Sequence, residues 1–89
     1  MERTWQRRER AKPDSGAELV LDYYLLTEQY GTFLHYGVQI TMRRGALEES
    51  AAAADVTTTL PRAMEIVDRL ACGTVTPAGL PDVLAELIG

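Results

Sequence analysis

Leu19-Val20-Leu21-Asp22-Tyr23-Tyr24-Leu25-Leu26-Thr27-Glu28-Gln29-Tyr30-Gly31-Thr32-Phe33-Leu34-His35-Tyr36-Gly37-Val38-Gln39-Ile40-Thr41-Met42 is the stretch that decides the fold. Both halves are rich in the bulky and aromatic residues that suit a pleated, half-buried surface. Between them, Gly31-Thr32 matches the two-residue hairpin turn that wants glycine first. That turn sets Leu25 opposite Val38, Tyr23 opposite Ile40, Leu21 opposite Met42 and Tyr36 opposite Thr27. One face then collects Leu19, Leu21, Tyr23, Leu25, Leu34, Tyr36, Val38, Ile40 and Met42. The other face includes Asp22, Glu28, His35, Gln39 and Thr41. Turn chemistry and hydrophobic alternation are independent, and they agree on one register.

Upstream, Pro13-Asp14-Ser15-Gly16 is a breaker cluster that separates the first residues from the rest. Arg3, Arg7 and Arg10 would share one face of any helix and repel one another. Residues 1–17 are therefore expected to be a disordered basic arm, and residues 18–89 a single small α+β domain.

Downstream, Gly45 supplies a second turn, and residues 46–56 are ambiguous. Alanine and glutamate favour helix, whereas a position after a hairpin turn favours a third meander strand under a closely packed helix. Thr57-Thr58-Thr59 offers N-caps and Pro61 fits a first helical turn. Leu60, Ala63, Met64, Val67, Leu70 and Ala71 recur at helical spacing, with Gly73 placed as the residue after the helix. This spacing predicts a helix over Leu60–Cys72. Thr76-Pro77 opens a further helical turn, and Pro81 separates it from a short helix to Ile88, whose buried side is Val83, Leu84, Leu87 and Ile88. The expected architecture is α+β: an antiparallel β-hairpin or three-stranded meander followed by two helices.

The order Asp22-Tyr23-Tyr24-Leu25-Leu26, Tyr36-Gly37-Val38-Gln39-Ile40, then Val75-Thr76-Pro77 leading to Leu80-Pro81-Asp82-Val83 resembles a family of short, uncharacterised proteins from Gram-positive Firmicutes. In that family a tyrosine-rich hairpin precedes a helix and a Val-Thr-Pro helix start. The similarity spans residues 19–88 and leaves the arm outside. Its members carry a more strand-like, acidic segment where this chain has alanines, which implies a third strand there. It implies no activity.

The 89 residues carry a net charge of −4 and 46% hydrophobic residues, the profile of one small globular domain. Residues 1–12 hold five cations against two glutamates, or +3, so the remainder is −7. One cysteine, Cys72, excludes an internal disulfide framework and points to a reducing, cytoplasmic setting. The basic start lacks the apolar stretch of a secretory signal, and no apolar run is long enough for a membrane helix.

Chemistry finds little to stand on. One cysteine and one histidine do not make a structural zinc site, and no cofactor motif is present. Cys72 ends a helix, where the dipole disfavours thiolate, and is expected as buried filler. His35 faces Glu28 across the hairpin, which is a surface acid–imidazole pair unless a cleft and a third group join it. Neither catalytic residues nor a small-molecule substrate are expected.

Binding is the better prospect. Val20, Tyr24, Leu26, Tyr30 and Phe33 interrupt the polar face of the hairpin, and its first strand is expected at a sheet edge. The expectation is a non-enzymatic interaction module that pairs with itself as a homodimer or docks another protein. The alternative is a nucleic-acid-associated regulator acting through Arg3, Trp5, Arg7, Arg8 and Arg10, since arginine and an aromatic ring suit phosphates and bases. Nucleic acid is confined to residues 1–12 because the acidic remainder repels phosphate.

Overall fold

A computed structural model describes residues 1–14 and 16–88; Ser15, within the breaker cluster, and Gly89 lie outside the described residues. Four strands, β1 (Glu2–Ala11), β2 (Leu19–Tyr30), β3 (Phe33–Arg44) and β4 (Leu47–Thr57), form one antiparallel sheet in the order β1-β2-β3-β4. Helix α1 (Leu60–Cys72), a 3-10 turn (Pro77–Gly79) and helix α2 (Leu80–Ile88) follow. The α+β class is as the sequence predicts, but the sheet has four strands, not two or three.

The hairpin register is the predicted one. Leu25 pairs with Val38, Tyr23 with Ile40, Leu21 with Met42 and Thr27 with Tyr36. Gly31 takes φ +60° while Thr32 keeps a negative φ, as a turn with glycine first requires. Gly45, also at φ +60°, does the same between β3 and β4.

The alanine segment resolves to strand. Ala51 and Ala53 pair with Ile40 and Val38 on the core face, where their small side chains let the 3-10 turn approach the sheet. Tertiary context here overrides the helical propensity of alanine.

Both helices pack on one face. Leu21, Tyr23, Val38 and Ile40 meet Ile66, Val67, Leu70 and Ala71 of α1 and Leu80 and Leu84 of α2, all almost fully buried. The Tyr23 hydroxyl donates to the Val75 carbonyl at 2.9 Å, tying the sheet centre to the loop after α1. Within α2, Leu80 and Leu84 carry the burial and Ile88 is exposed, because Leu80 begins the helix and shifts its inward stripe toward the start.

The end of α1 departs from the expected glycine cap. Thr74 N–H bonds the Ala71 carbonyl and Val75 N–H the Leu70 carbonyl, the pair of bonds that defines a Schellman motif. The left-handed position falls on Thr74, at φ +51°, while Gly73 sits at φ −86°.

The largest correction concerns the arm. Residues 2–11 are strand, paired along β2 from Glu2 opposite Thr27 to Ala11 opposite Leu19. The first strand of the hairpin is therefore interior, and the sheet edges are β1 and β4. The physical reason lies in β2. Asp22, on the sheet face away from the helices, and the outer row of β2 backbone groups find their partners in the arginine-rich strand.

Candidate functional site

Cross-strand partners in an antiparallel sheet share a face, so the register assigns every side chain. The face opposite the helices receives Arg3, Trp5, Arg8 and Arg10 from β1 and Val20, Asp22, Tyr24 and Leu26 from β2. A bulge between Trp5 and Arg7, with Gln6 as the extra residue, makes this possible. Without the change of phase at Gln6, Trp5 and Arg8 would lie on opposite faces.

The two converge on Asp22, which is buried at 5% exposure. Trp5 Nε1 donates to its Oδ1 at 2.9 Å, Arg8 Nε to the same oxygen at 2.8 Å, and Arg8 Nη2 to Oδ2 at 3.1 Å. The hydrogen bonds from Arg8, the largest influence, hold the Asp22 carboxyl below its ordinary pKa. Partial burial opposes them, while Trp5 adds to the lowering. Beside this cluster the Arg3 guanidinium lies over the Tyr24 ring, 4.3 Å from its centroid. Trp5 stays 54% exposed, so the cluster presents an indole to solvent.

Arg7 goes the other way. It lies on the core face and bonds Asp68 of α1 at 2.7 Å and Glu9 at 2.6 Å. Arg10 pairs with Glu18 at 2.9 Å. Cys72, expected to be buried, is exposed, and its Sγ lies 3.6 Å from Arg7. It is the last residue of α1 and has turned away from the stripe that ends at Ala71.

The five apolar candidates on the hairpin separate. Tyr24 and Val20 are half-buried beside β1. Leu26 is only 4% exposed, with Arg3 and Gly37 as its cross-strand partners, so it is not an accessible contact. Tyr30 and Phe33 project from the hairpin tip, Phe33 at 69% exposure. Six residues from Tyr24 to Tyr30 amount to about 20 Å along a strand, so these make two patches on one face.

His35 is opposite Glu28 in the register, but its Nδ1 engages Asp55 Oδ1 at 2.5 Å. Glu28 instead lies beside Tyr30, where its carboxylate raises the pKa of that phenol, and the Tyr30 ring packs edge-on to the imidazole at 4.8 Å. Asp55 reaches His35 through an irregularity. Tyr36 pairs with Thr57 and Val38 with Ala53, so residues 54–56 bulge opposite Gly37. Asp55 there takes φ +57°. A Cβ on Gly37 would lie 2.2 Å from the Ala53 carbonyl oxygen, so only glycine fits against the bulge. Nothing in sequence spacing relates residue 35 to 55, and the bulge that joins them carries no glycine or proline to announce it.

Residues 2–89 match a family of unknown function (DUF6514). The chain belongs to that family. The match includes β1, which extends the likeness beyond residues 19–88 to the strand that pins Asp22. Comparison with curated proteins gave no match, and neither did comparison with solved structures. No helix among the described residues is long and apolar enough to cross a membrane.

Proposed function

We propose that this DUF6514 chain is a non-enzymatic interaction module that docks a protein, a second copy or another chain, through the helix-free face of its sheet. The observation that carries this is the placement of both helices on one face while the other presents Trp5, Tyr24, Tyr30 and Phe33. Tryptophan, tyrosine and arginine are the residues that dominate binding energy at protein interfaces, and they sit together here around Asp22.

The nucleic-acid alternative would require β1 arginines to exchange carboxylates for phosphates. Arg7, Arg8 and Arg10 face Asp68 and Glu9, Asp22, and Glu18 respectively. The docking reading needs no such exchange and is preferred.

The test compares the wild-type chain with a Tyr30→Lys/Phe33→Asp variant, at the two exposed aromatic positions of the hairpin tip, by sedimentation over a concentration series and by capture of binding proteins from native lysate. Loss of association with an intact circular-dichroism spectrum is the expected result. Association unchanged by both substitutions would refute docking through this face.

A further inference from the structure

The two edges of the sheet differ in charge. Strand β1 carries Arg3, Arg7, Arg8 and Arg10 against Glu2 and Glu9, a net +2. Strand β4 carries Glu48, Glu49 and Asp55 and no base, a net −3. Each edge offers a row of backbone donors and acceptors that the sheet itself does not pair. Three hairpin reversals leave β1 and β4 running in opposite directions. A second copy set beside the first in the same orientation therefore meets β4 with its own β1 antiparallel, and the helices of both copies stay on the same side.

We propose that copies of this chain join edge to edge, β1 of one on β4 of the next. This association is separate from docking through the helix-free face. The faces of the two strands select the register. Glu48 shares the helix-free face with Arg3, Trp5, Arg8 and Arg10, and Glu49 shares the core face with Arg7 and Glu9. Setting Glu48 against Arg8 of the neighbouring copy brings Glu49 against that copy's Arg7 and Leu47 against its Glu9. Beyond the Gln6 bulge, Ser50, Ala51, Ala52 and Ala53 meet Trp5, Thr4, Arg3 and Glu2. Sliding β4 by two residues one way sets Glu49 against Glu9. Sliding it the other way leaves both glutamates without an arginine.

Several local features suit this pairing. Glu48 and Glu49 make no ion pair among the described residues. Arg8 spends Nε and Nη2 on Asp22 and keeps Nη1 for another acceptor, whereas Arg7 gives both Nη atoms to Asp68 and Glu9, so the Glu48–Arg8 pair carries the charge complement. Ala52 leaves room for the Arg3 side chain. The straight part of β4 ends at Ala53, where the bulge opposite Gly37 begins, so the ladder stops at Glu2 where β1 also starts. The contact is heterologous, the growing assembly always keeps one free β1 edge and one free β4 edge, and sheet twist turns the array into a helix.

Sedimentation velocity of the full chain at low ionic strength tests this. Wild type is expected to show species that keep growing with concentration beyond a dimer and that are lost on adding salt. A Glu48→Lys/Glu49→Lys variant is expected to remain monomeric, with a melting temperature lowered only by the few degrees that a cation opposite Arg43 costs. It keeps a working β1, so adding it to wild type in small proportion is expected to cap and shorten the assemblies. A wild-type chain that stays monomeric, or one that stops at a salt-insensitive dimer, overturns the proposal. So does a lysine variant that assembles normally or fails to cap. A dimer abolished by Tyr30→Lys/Phe33→Asp but untouched by the lysine variant would instead support docking through the helix-free face alone.

Discussion

The indole Nε1 of Trp5 and the guanidinium of Arg8 both donate to Asp22, a residue that sits in the middle of an apolar strand and is almost wholly removed from solvent. This carboxylate is the anchor by which β1 is held to the sheet. Charged hydrogen bonds of this kind contribute more than neutral ones, but the partly exposed arginine tempers the gain. Asp22→Asn is expected to destabilise the fold by about 1–2 kcal/mol in chemical denaturation. Hydrogen exchange should then show the amides of β1 opening before those of β2 and β3. Uniform exchange across all four strands would refute a separately anchored β1.

The same carboxylate predicts an acid limb. Its pKa in the fold lies below the ordinary value near 3.9, so the stabilisation is complete above that value and is lost as pH falls through the lower folded one. Asp22→Asn should flatten this limb. At the other extreme, burial pushes the Tyr23 phenol up to about 12. Stability tied to Tyr23 is then whole below about pH 10 and disappears as pH rises through about 12. Melting temperatures across pH, compared with Tyr23→Phe on the alkaline side, check both limbs.

Thr74 occupies the left-handed position that closes α1, a conformation costly for a β-branched residue. Thr74→Gly should raise stability by about 1 kcal/mol, while Gly73→Ala, at a negative φ with no contact closer than 3.4 Å, should change little. Thermal denaturation of the two variants distinguishes them, and a destabilised Thr74→Gly would show that the threonine side chain has a role of its own.

Gly37 has no room for a side chain, because the added Cβ would press on the backbone of Ala53 and Ala54. Gly37→Ala is expected to cost about 3 kcal/mol and to detach residues 54–56. Asp55→Asn, which tolerates φ +57°, should keep the bulge. Amide chemical shifts of residues 53–57 report whether it persists.

Cys72 is exposed in the fold. It should therefore react with a maleimide in native buffer without prior unfolding. Cys72→Ser should leave stability within about 0.5 kcal/mol.

Much of this was legible in the residues themselves. Alternation in Leu19–Tyr30 and Phe33–Arg44, together with Gly31, specifies a register that the sheet adopts pair for pair. The pattern from Leu60 to Cys72 gives α1 to the residue. β1 escaped because period-2 reasoning looks for apolar alternation, and an edge strand of arginines and glutamates has none. The available signal lay in β2, where a buried aspartate demands cationic partners and the basic run of the chain is residues 3–12. The pairing of His35 with Asp55 depends on a bulge that changes the register of β4 by two residues, which local propensity does not encode.

Gln6 is the residue the ladder skips. Trp5 pairs with Tyr24 and Arg7 with Tyr23, so excising Gln6 would leave every other partnership of β1 in place and turn a kinked border into a straight one. Natural sheets use such irregularities to keep borders from growing without limit. A chain lacking Gln6 should bind its neighbours more tenaciously and tend toward fibres. One dispensable residue would then set the difference between reversible association and a solid.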